Sequence, residues 1–269
     1  MSADELQRWK QWCADRTRSV TSTPGNLTLV SYQALGDQWA PIEGAVEASA
    51  RVADGEGIWL RTPEGYGVTV DGEPVAGEVF VGRLRAGTGP VVRREHFAYE
   101  VFSLDGSDYE LRVYDEYSDA LDNFGGIEVY DYAPEFLLTG EFHAYGATDA
   151  VPWAFTRSVD TGHVKQVPGT VMVSISGVRH ELVAFLDGSE LVIVFADATT
   201  GAESYAPGRF LRTQVTGDRS SVSVDFNRAF IPPCGFSDFY SCPIPPPQNK
   251  LALAVRAGER RVCWQRPRY

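Results

Sequence analysis

Basic side chains are scarce in this sequence. Its 269 residues include 24 Lys and Arg against 36 Asp and Glu, which gives a formal net charge of −12. Proteins that bind nucleic acid place clusters of Lys and Arg against the phosphates, and anionic membrane surfaces attract the same cations. The charge therefore argues against nucleic acid and membranes as partners.

Long hydrophobic runs are absent as well. No apolar stretch approaches the roughly 20 residues that cross a bilayer. The first residues, Met-Ser-Ala-Asp-Glu-Leu-Gln-Arg, place acids where a secretory signal would have basic residues followed by an apolar core. These two features predict a soluble, cytoplasmic protein, and they leave its oligomeric state open.

Cysteine is too sparse to supply a disulfide framework. The four cysteines are Cys13, Cys234, Cys242 and Cys263. Seven residues separate Cys234 from Cys242, a spacing unlike that of zinc-binding CxxC pairs, and neither a second pair nor a nearby histidine completes a metal site. We interpret Cys234 and Cys242 as structural thiols packing a proline-rich loop, with a disulfide as the second alternative and a metal as the third. In a reducing cytoplasm they are expected to be free.

Motifs for common cofactors are missing too. The sequence has no Walker loop, no dinucleotide-binding glycine pattern and no G-x-S-x-G elbow, and its four histidines show no ligand spacing. The sequence therefore predicts no metal, nucleotide or other cofactor.

The patterns that are present indicate one helix followed by strands. Residues 4–18 carry Leu6, Trp9, Trp12 and Cys13 at helical spacing. After Pro24-Gly25 the apolar residues alternate, in short runs rich in Val, Phe, Tyr and Thr that are separated by Asp-Gly and Pro-Gly turns. We predict a mainly β protein of antiparallel sandwich or barrel modules with one N-terminal helix.

Two turns predict hairpins. Asp105-Gly106 joins residues 98–104 to residues 109–114, and Asp187-Gly188 joins residues 181–186 to residues 191–196. Residues 191–196 are apolar on both faces, which predicts a central strand covered on both sides.

A polar, glycine-bearing stretch at residues 119–126 predicts a boundary near residue 120. Residues 1–120 would form the helix and a small β-sandwich. Residues 121–269 would form a second β module that carries the candidate site.

The densest segment is 195–259. It contains F-A-D-A-T-T-G-A-E-S-Y-A-P-G-R-F-L, then D-F-N-R-A-F-I-P-P-C-G-F, then C-P-I-P-P-P-Q-N-K-L and finally A-G-E. These words, in this order, closely resemble the uncharacterised bacterial and archaeal family known as domain of unknown function number sixteen eighty-four. The resemblance supports the fold and the position of the site, and it implies no chemistry.

Asp225, Asn227 and Arg228 follow a predicted strand that begins at Ser221. Alternation would turn Val222, Val224 and Phe226 toward the core, and Asp225 and Asn227 to the other side. With Arg209, Tyr205 and Asp197 nearby in the motif, these groups could close a hydrogen-bonded network or grip a planar acid through a bidentate arginine.

Two functions remain open at this point. In the first, the second module binds a small polar or anionic molecule in a pocket floored by Asp225, Asn227 and Arg228. Its other predicted parts are ligand contacts from Asp197 and Asn249, a wall formed by Tyr205 and Arg209, and a lid formed by the Cys234–Cys242 loop. If the protein is an enzyme, Asp225 is the candidate base and Tyr205 the candidate acid, without a metal. In the second, the motif is a structural brace with a buried Arg228, and the protein is a non-catalytic interaction module.

Overall fold

The structure is a computed structural model that describes residues 3–53, 56–85, 87–103, 106, 108–156, 164–216 and 221–267. Its helices are α1 (Ala3–Thr21) and the short α2 (Asp119–Asp122). Helix α1 confirms the prediction made from the spacing of Trp9 and its neighbours. No helix in these ranges is long and apolar enough to span a membrane.

The chain divides into two compact units. One comprises residues 18–123, and the other combines residues 1–17 with residues 124–269. Most of α1 thus belongs with the second unit, whereas the sequence analysis assigned the helix to the first module.

The first unit consists of two antiparallel sheets, ordered β1-β10-β9-β8-β5-β6 and β2-β3-β4-β7. Alternate residues from both sheets, such as Leu60 on β4 and Val101 on β9, are buried in one shared core. The strands are β1 (Leu29–Leu35), β2 (Ala40–Ile42), β3 (Ala45–Val52), β4 (Gly57–Thr62), β5 (Thr69–Val70), β6 (Glu73–Pro74), β7 (Gly77–Gly82), β8 (Val92–Arg94), β9 (Phe97–Phe102) and β10 (Tyr109–Asp115).

The second unit is built on a curled sheet ordered β16-β15-β14-β13-β12-β18-β17, with β11 and β19 paired separately. The curl brings β16 back to β18, where the Thr213 hydroxyl donates to the Ser223 carbonyl at 2.6 Å and makes a half-barrel. The strands are β11 (Phe124–Val129), β12 (Leu137–Pro152), β13 (Val164–Ile175), β14 (Val178–Asp187), β15 (Glu190–Phe195), β16 (Arg209–Thr213), β17 (Val215–Thr216), β18 (Ser221–Asp225) and β19 (Glu259–Trp264).

Both predicted hairpins are confirmed. Strands β9 and β10 pair antiparallel around the Asp105-Gly106 turn, of which Asp105 lies outside the described residues. Strands β14 and β15 pair up to Asp187 and Glu190, on either side of the second predicted turn.

Strand β15 is covered on both faces, as its sequence predicts. Leu191, Ile193 and Phe195 pack into one core cluster, while Val192 and Val194 pack into another with aromatic residues from neighbouring segments. Strand β15 therefore contributes to two core clusters of the second unit.

Truncating a buried side chain of β15 tests the packing of this strand. Ile193 is fully buried, so Ile193→Ala is expected to lower the free energy of unfolding by about 2–5 kcal/mol through lost transfer energy and a residual cavity. Chemical denaturation measures the loss. Val178→Ala is the control, because Val178 is 55% exposed and its truncation should cost less than about 0.5 kcal/mol. Equal losses in the two variants would contradict the burial of β15.

Candidate functional site

The second unit contains a cleft of about 350 Å³ between the first turns of α1 and the β16–β18 side of the half-barrel. It is lined by Glu5, Arg8, Trp9, Tyr132, Leu137, Arg212, Thr213, Gln214, Ser223, Asp225 and Arg228. Two of the predicted site residues, Asp225 and Arg228, are among them. In the described part of the chain, no group of three or more His, Cys, Asp or Glu could hold a metal ion.

Asp225 enters the cleft because β18 ends there. Its carboxylate accepts a hydrogen bond from the Asn227 backbone N–H at 3.1 Å and so caps the 3₁₀ turn Phe226–Arg228. The turn brings Arg228 back toward Asp225, with 3.3 Å between Nε of Arg228 and Oδ2 of Asp225. The two side chains therefore enter the cleft as a pair.

Arg228 is a surface residue of this cleft, with 44% of its side chain exposed. The structure thus corrects the interpretation in which it is enclosed in a buried network. Its Nε faces Asp225, while no hydrogen bond to a described residue occupies Nη1 or Nη2. These two nitrogens are the groups of Arg228 that a ligand could meet.

The other two arginines that line the cleft, Arg8 and Arg212, form ion pairs with acidic residues outside it. Arg8 pairs with Asp4 one helical turn away. Arg212 pairs with Asp187 at 2.6 Å and Glu190 at 3.0 Å, and none of these three acids lines the cleft.

Trp9 and Tyr132 form an aromatic wall. Their ring centroids lie 5.8 Å apart, and the Trp9 indole N–H donates to the Asn227 carbonyl at 3.1 Å. Burial raises the pKa of the Tyr132 hydroxyl, and the carboxylates of Asp225 and Glu5 raise it further. Tyr132 therefore remains a protonated hydrogen-bond donor at neutral pH.

Asn227 does not point outward with Asp225, which corrects the predicted pocket floor. Strand alternation stops at Phe226, where the 3₁₀ turn begins, so Asn227 turns inward and is fully buried. Its side-chain amide accepts from the Ala133 N–H at 2.8 Å and donates to the Ala133 carbonyl at 2.9 Å. Asn227 thus braces the segment that leads into β12.

Arg209 and Asp197 lie in the interior, not in a pocket wall. Both side chains are 0% exposed, and Nη2 of Arg209 is 2.6 Å from Oδ2 of Asp197. The guanidinium also donates to the carbonyls of Val255 at 2.8 Å and Glu259 at 3.2 Å. The structure therefore places this predicted ligand-binding pair as an internal brace.

Asn249 is likewise buried in the interior and not in a pocket wall. Its buried amide accepts from the Val183 N–H at 2.8 Å and donates to the carbonyls of Val183 at 2.9 Å and Val194 at 2.8 Å. It fastens the proline-rich segment to β14 and β15, and it does not line the cleft.

Tyr205 and the two predicted structural thiols form a third group. The Tyr205 hydroxyl donates to Cys234 Sγ at 3.6 Å, and the Cys234 backbone N–H donates to Cys242 Sγ at 3.3 Å. No disulfide joins these cysteines. Because Tyr205 is absent from the cleft, the structure does not bring together the predicted acid Tyr205 and the predicted base Asp225.

Sequence reasoning missed the helical half of the cleft. Glu5, Arg8 and Trp9 lie at spacings of three and four along α1, so they share one face, and this pattern was the available signal. It also missed the anchor of that helix, in which Nε of Arg16 is 2.8 Å from Oε1 of the buried Glu259.

Gly258 sets the direction of the Glu259 side chain. Its φ is +78°, and an added Cβ would lie 2.5 Å from the Ala229 carbonyl oxygen. Only glycine fits this conformation and this space, which accounts for the A-G-E word in the motif.

The chain is similar to proteins of one family and to a solved structure. A family model described as Protein of unknown function (DUF1684) matches residues 122–260, a range that includes β11 to β18 and all four motif words of the sequence analysis. A solved solution NMR structure, of an uncharacterized protein from Haloarcula marismortui, is 30% identical to the chain. The match covers 52% of this chain and 78% of that one, with a TM-score of 0.42. No curated protein matches the chain.

The two arginines of the motif should differ sharply in their effect on stability. Arg209→Ala leaves Asp197 buried without its partner, which is expected to lower the free energy of unfolding by about 3–5 kcal/mol. Arg228→Ala breaks a solvent-exposed pair and is expected to cost less than about 1 kcal/mol. Urea denaturation of the two variants measures both values. Similar losses would show that Arg228 is as structural as Arg209.

Proposed function

The chain belongs to the DUF1684 family of proteins of unknown function, as its motifs suggested, and from this premise we propose that its second unit binds a small organic anion in the α1–β18 cleft. The ligand class is a monocarboxylate attached to a planar, apolar body. The observation that carries the proposal is the open edge of Arg228 beside the Trp9–Tyr132 wall.

Arg228 supplies the anion contact. A guanidinium presents parallel N–H groups that match the two oxygens of a carboxylate. Since Asp225 faces Nε, the Nη1 and Nη2 side remains available for such a bidentate contact. Asp225 also orients the guanidinium, so less side-chain freedom is lost when a ligand binds.

The aromatic wall supplies the apolar contact. Trp9 is held by its hydrogen bond to the Asn227 carbonyl, so its ring is already fixed. Binding sites commonly combine such aromatic surface with a few polar groups that fix the ligand's orientation. The protonated hydroxyl of Tyr132 would add a donor next to the bound acid.

The remaining groups limit the ligand's size and charge. A volume of about 350 Å³ suits a small molecule. Glu5 and Asp225 also face the cleft, and the protein carries a net charge of −12, so a polyanion would be repelled.

Benzoate and its uncharged analogue benzamide test the proposal by calorimetry and thermal shift. We expect benzoate to bind and to raise the Tm, and benzamide to bind more weakly because it cannot form the charge-assisted pair. Arg228→Gln should weaken benzoate binding about tenfold or more, since hydrogen bonds to a charged group contribute about 1.5–3 kcal/mol.

Arg256→Gln is the matched control. Arg256 is 61% exposed, pairs with Glu203 at 2.6 Å and does not line the cleft, so this variant should bind benzoate as the unmodified protein does. The proposal is refuted if benzoate causes no shift, if benzamide binds equally well, or if both variants bind alike.

A further inference from the structure

A second group of reactive side chains lies outside the cleft, in the second unit. Cys234 sits in the 3₁₀ turn Pro233–Gly235, and the following loop returns to Cys242. The return is fixed at Thr156, whose N–H donates to the Cys242 carbonyl at 2.8 Å and whose hydroxyl accepts from the Cys242 N–H at 3.0 Å. The loop thus holds the two thiols next to each other, with 3.3 Å from the Cys234 N–H to Cys242 Sγ.

The two thiols differ in exposure. Cys242 is 4% exposed and belongs to an apolar cluster with Trp153, Phe155 and Phe210. Cys234 is half-buried at the margin of that cluster. A solute can therefore reach Cys234 more readily than Cys242.

Hydrogen-bond donors converge on Cys234 Sγ. The Cys242 thiol lowers the pKa of Cys234 most, and donors from Tyr205 and Thr156 lower it further, to about 7, against the opposing effect of burial. An ordinary cysteine has a pKa near 8.5. A substantial fraction of Cys234 is therefore thiolate at neutral pH, and the thiolate is the nucleophilic form.

Lys165 and Asp238 are charged groups that act on this pair and on Tyr205. Burial lowers the pKa of Lys165, whose ammonium lies 4.5 Å from the Phe185 ring and interacts with Cys242. Asp238 acts on the Tyr205 hydroxyl, whose pKa is raised mainly by burial and then by Cys234, so Tyr205 stays protonated and continues to donate. Among the described residues, neutral donors thus stabilise the charge on Cys234 in an apolar surrounding, and the Lys165 ammonium interacts with Cys242.

We propose that Cys234 is a peroxide-reactive nucleophile and that Cys242 resolves its oxidised form into a Cys234–Cys242 disulfide. The assignment rests on the adjacent thiols, the hydroxyl donor and the difference in exposure. It is independent of the anion cleft.

The chemistry balances with hydrogen peroxide as the oxidant. The Cys234 thiolate attacks one peroxide oxygen, the O–O bond breaks, and the departing hydroxide takes up a proton to become water. Sulfur is oxidised by two electrons to the sulfenic acid. Cys242 then attacks Cys234 Sγ, the S–O bond breaks with release of a second water, and the S–S bond forms. In sum, two thiols and one peroxide give one disulfide and two waters.

Peroxide titration of the reduced, full-length protein tests the proposal, with the remaining thiols alkylated and each peptide mapped by mass spectrometry. We expect one equivalent of peroxide to remove the labels from Cys234 and Cys242 together. Cys242→Ser should stop at a Cys234 sulfenic acid that dimedone traps, and Cys234→Ser should abolish the fast reaction. Cys13 is an internal control, since burial raises its pKa to about 11.

The pH profile separates a reactive site from a purely structural pair. Alkylation of Cys234 by iodoacetamide should rise with pH to half its maximum near pH 7, and at that pH it should be roughly tenfold or more faster than alkylation of Cys13. Tyr205→Phe removes one donor and should move the profile to higher pH.

Arg228→Gln should leave all of these thiol measurements unchanged, so failure of the anion proposal would not affect this one. The thiol proposal is overturned if Cys234 reacts no faster than Cys13, if the disulfide forms with another cysteine, or if Tyr205→Phe leaves the profile in place.

Discussion

The buried guanidinium of Arg209 holds the second unit together. It joins β16 to the turn after β15 through Asp197, to the segment before β19 through the Val255 carbonyl, and to the first residue of β19 through the Glu259 carbonyl. Removing both charges from water is expensive, and the arrangement is stable because the guanidinium meets a carboxylate and several backbone carbonyls at short distance. The Val255 carbonyl belongs to an irregular segment outside the strands, where backbone groups have no ladder partners, whereas Glu259 begins β19, which pairs with β11.

The α1–β18 cleft is connected to Arg209 through a short series of contacts. Arg209 fixes the segment that ends in Gly258 and Glu259, and the buried Glu259 carboxylate holds Arg16. Arg16 also donates to the Ile231 carbonyl, so α1 is fastened at two points. The fastened helix in turn places Trp9 over the 3₁₀ turn that carries Arg228. The motif therefore combines a buried brace around Arg209 with the exposed Arg228 of the candidate cleft.

The sequence predicts the strands well because alternation and Asp-Gly turns are local signals. Strand β15 follows directly from an apolar run, and both hairpins follow from their turns. The positions of individual polar residues depended on a turn cap that the strand pattern does not show and on tertiary packing. Asn227 was expected to follow strand alternation, but the Asp225 cap starts a 3₁₀ turn and reverses its direction. Arg209 and Arg228 have the same side chain, and the sequence around them does not show which is buried. Tertiary packing encloses Arg209 and leaves Arg228 exposed.

The link between Arg16 and Glu259 spans 243 positions in the chain. Residues 18–123, which lie between these two partners in the sequence, form a compact unit of their own. During synthesis the first unit can therefore assemble while the ribosome is still producing the second, whereas the contacts of α1 with Asn227, Ile231 and Glu259 form only after those residues have emerged. The cleft, which needs α1 on one side and β18 on the other, is thus among the last features of the molecule to exist.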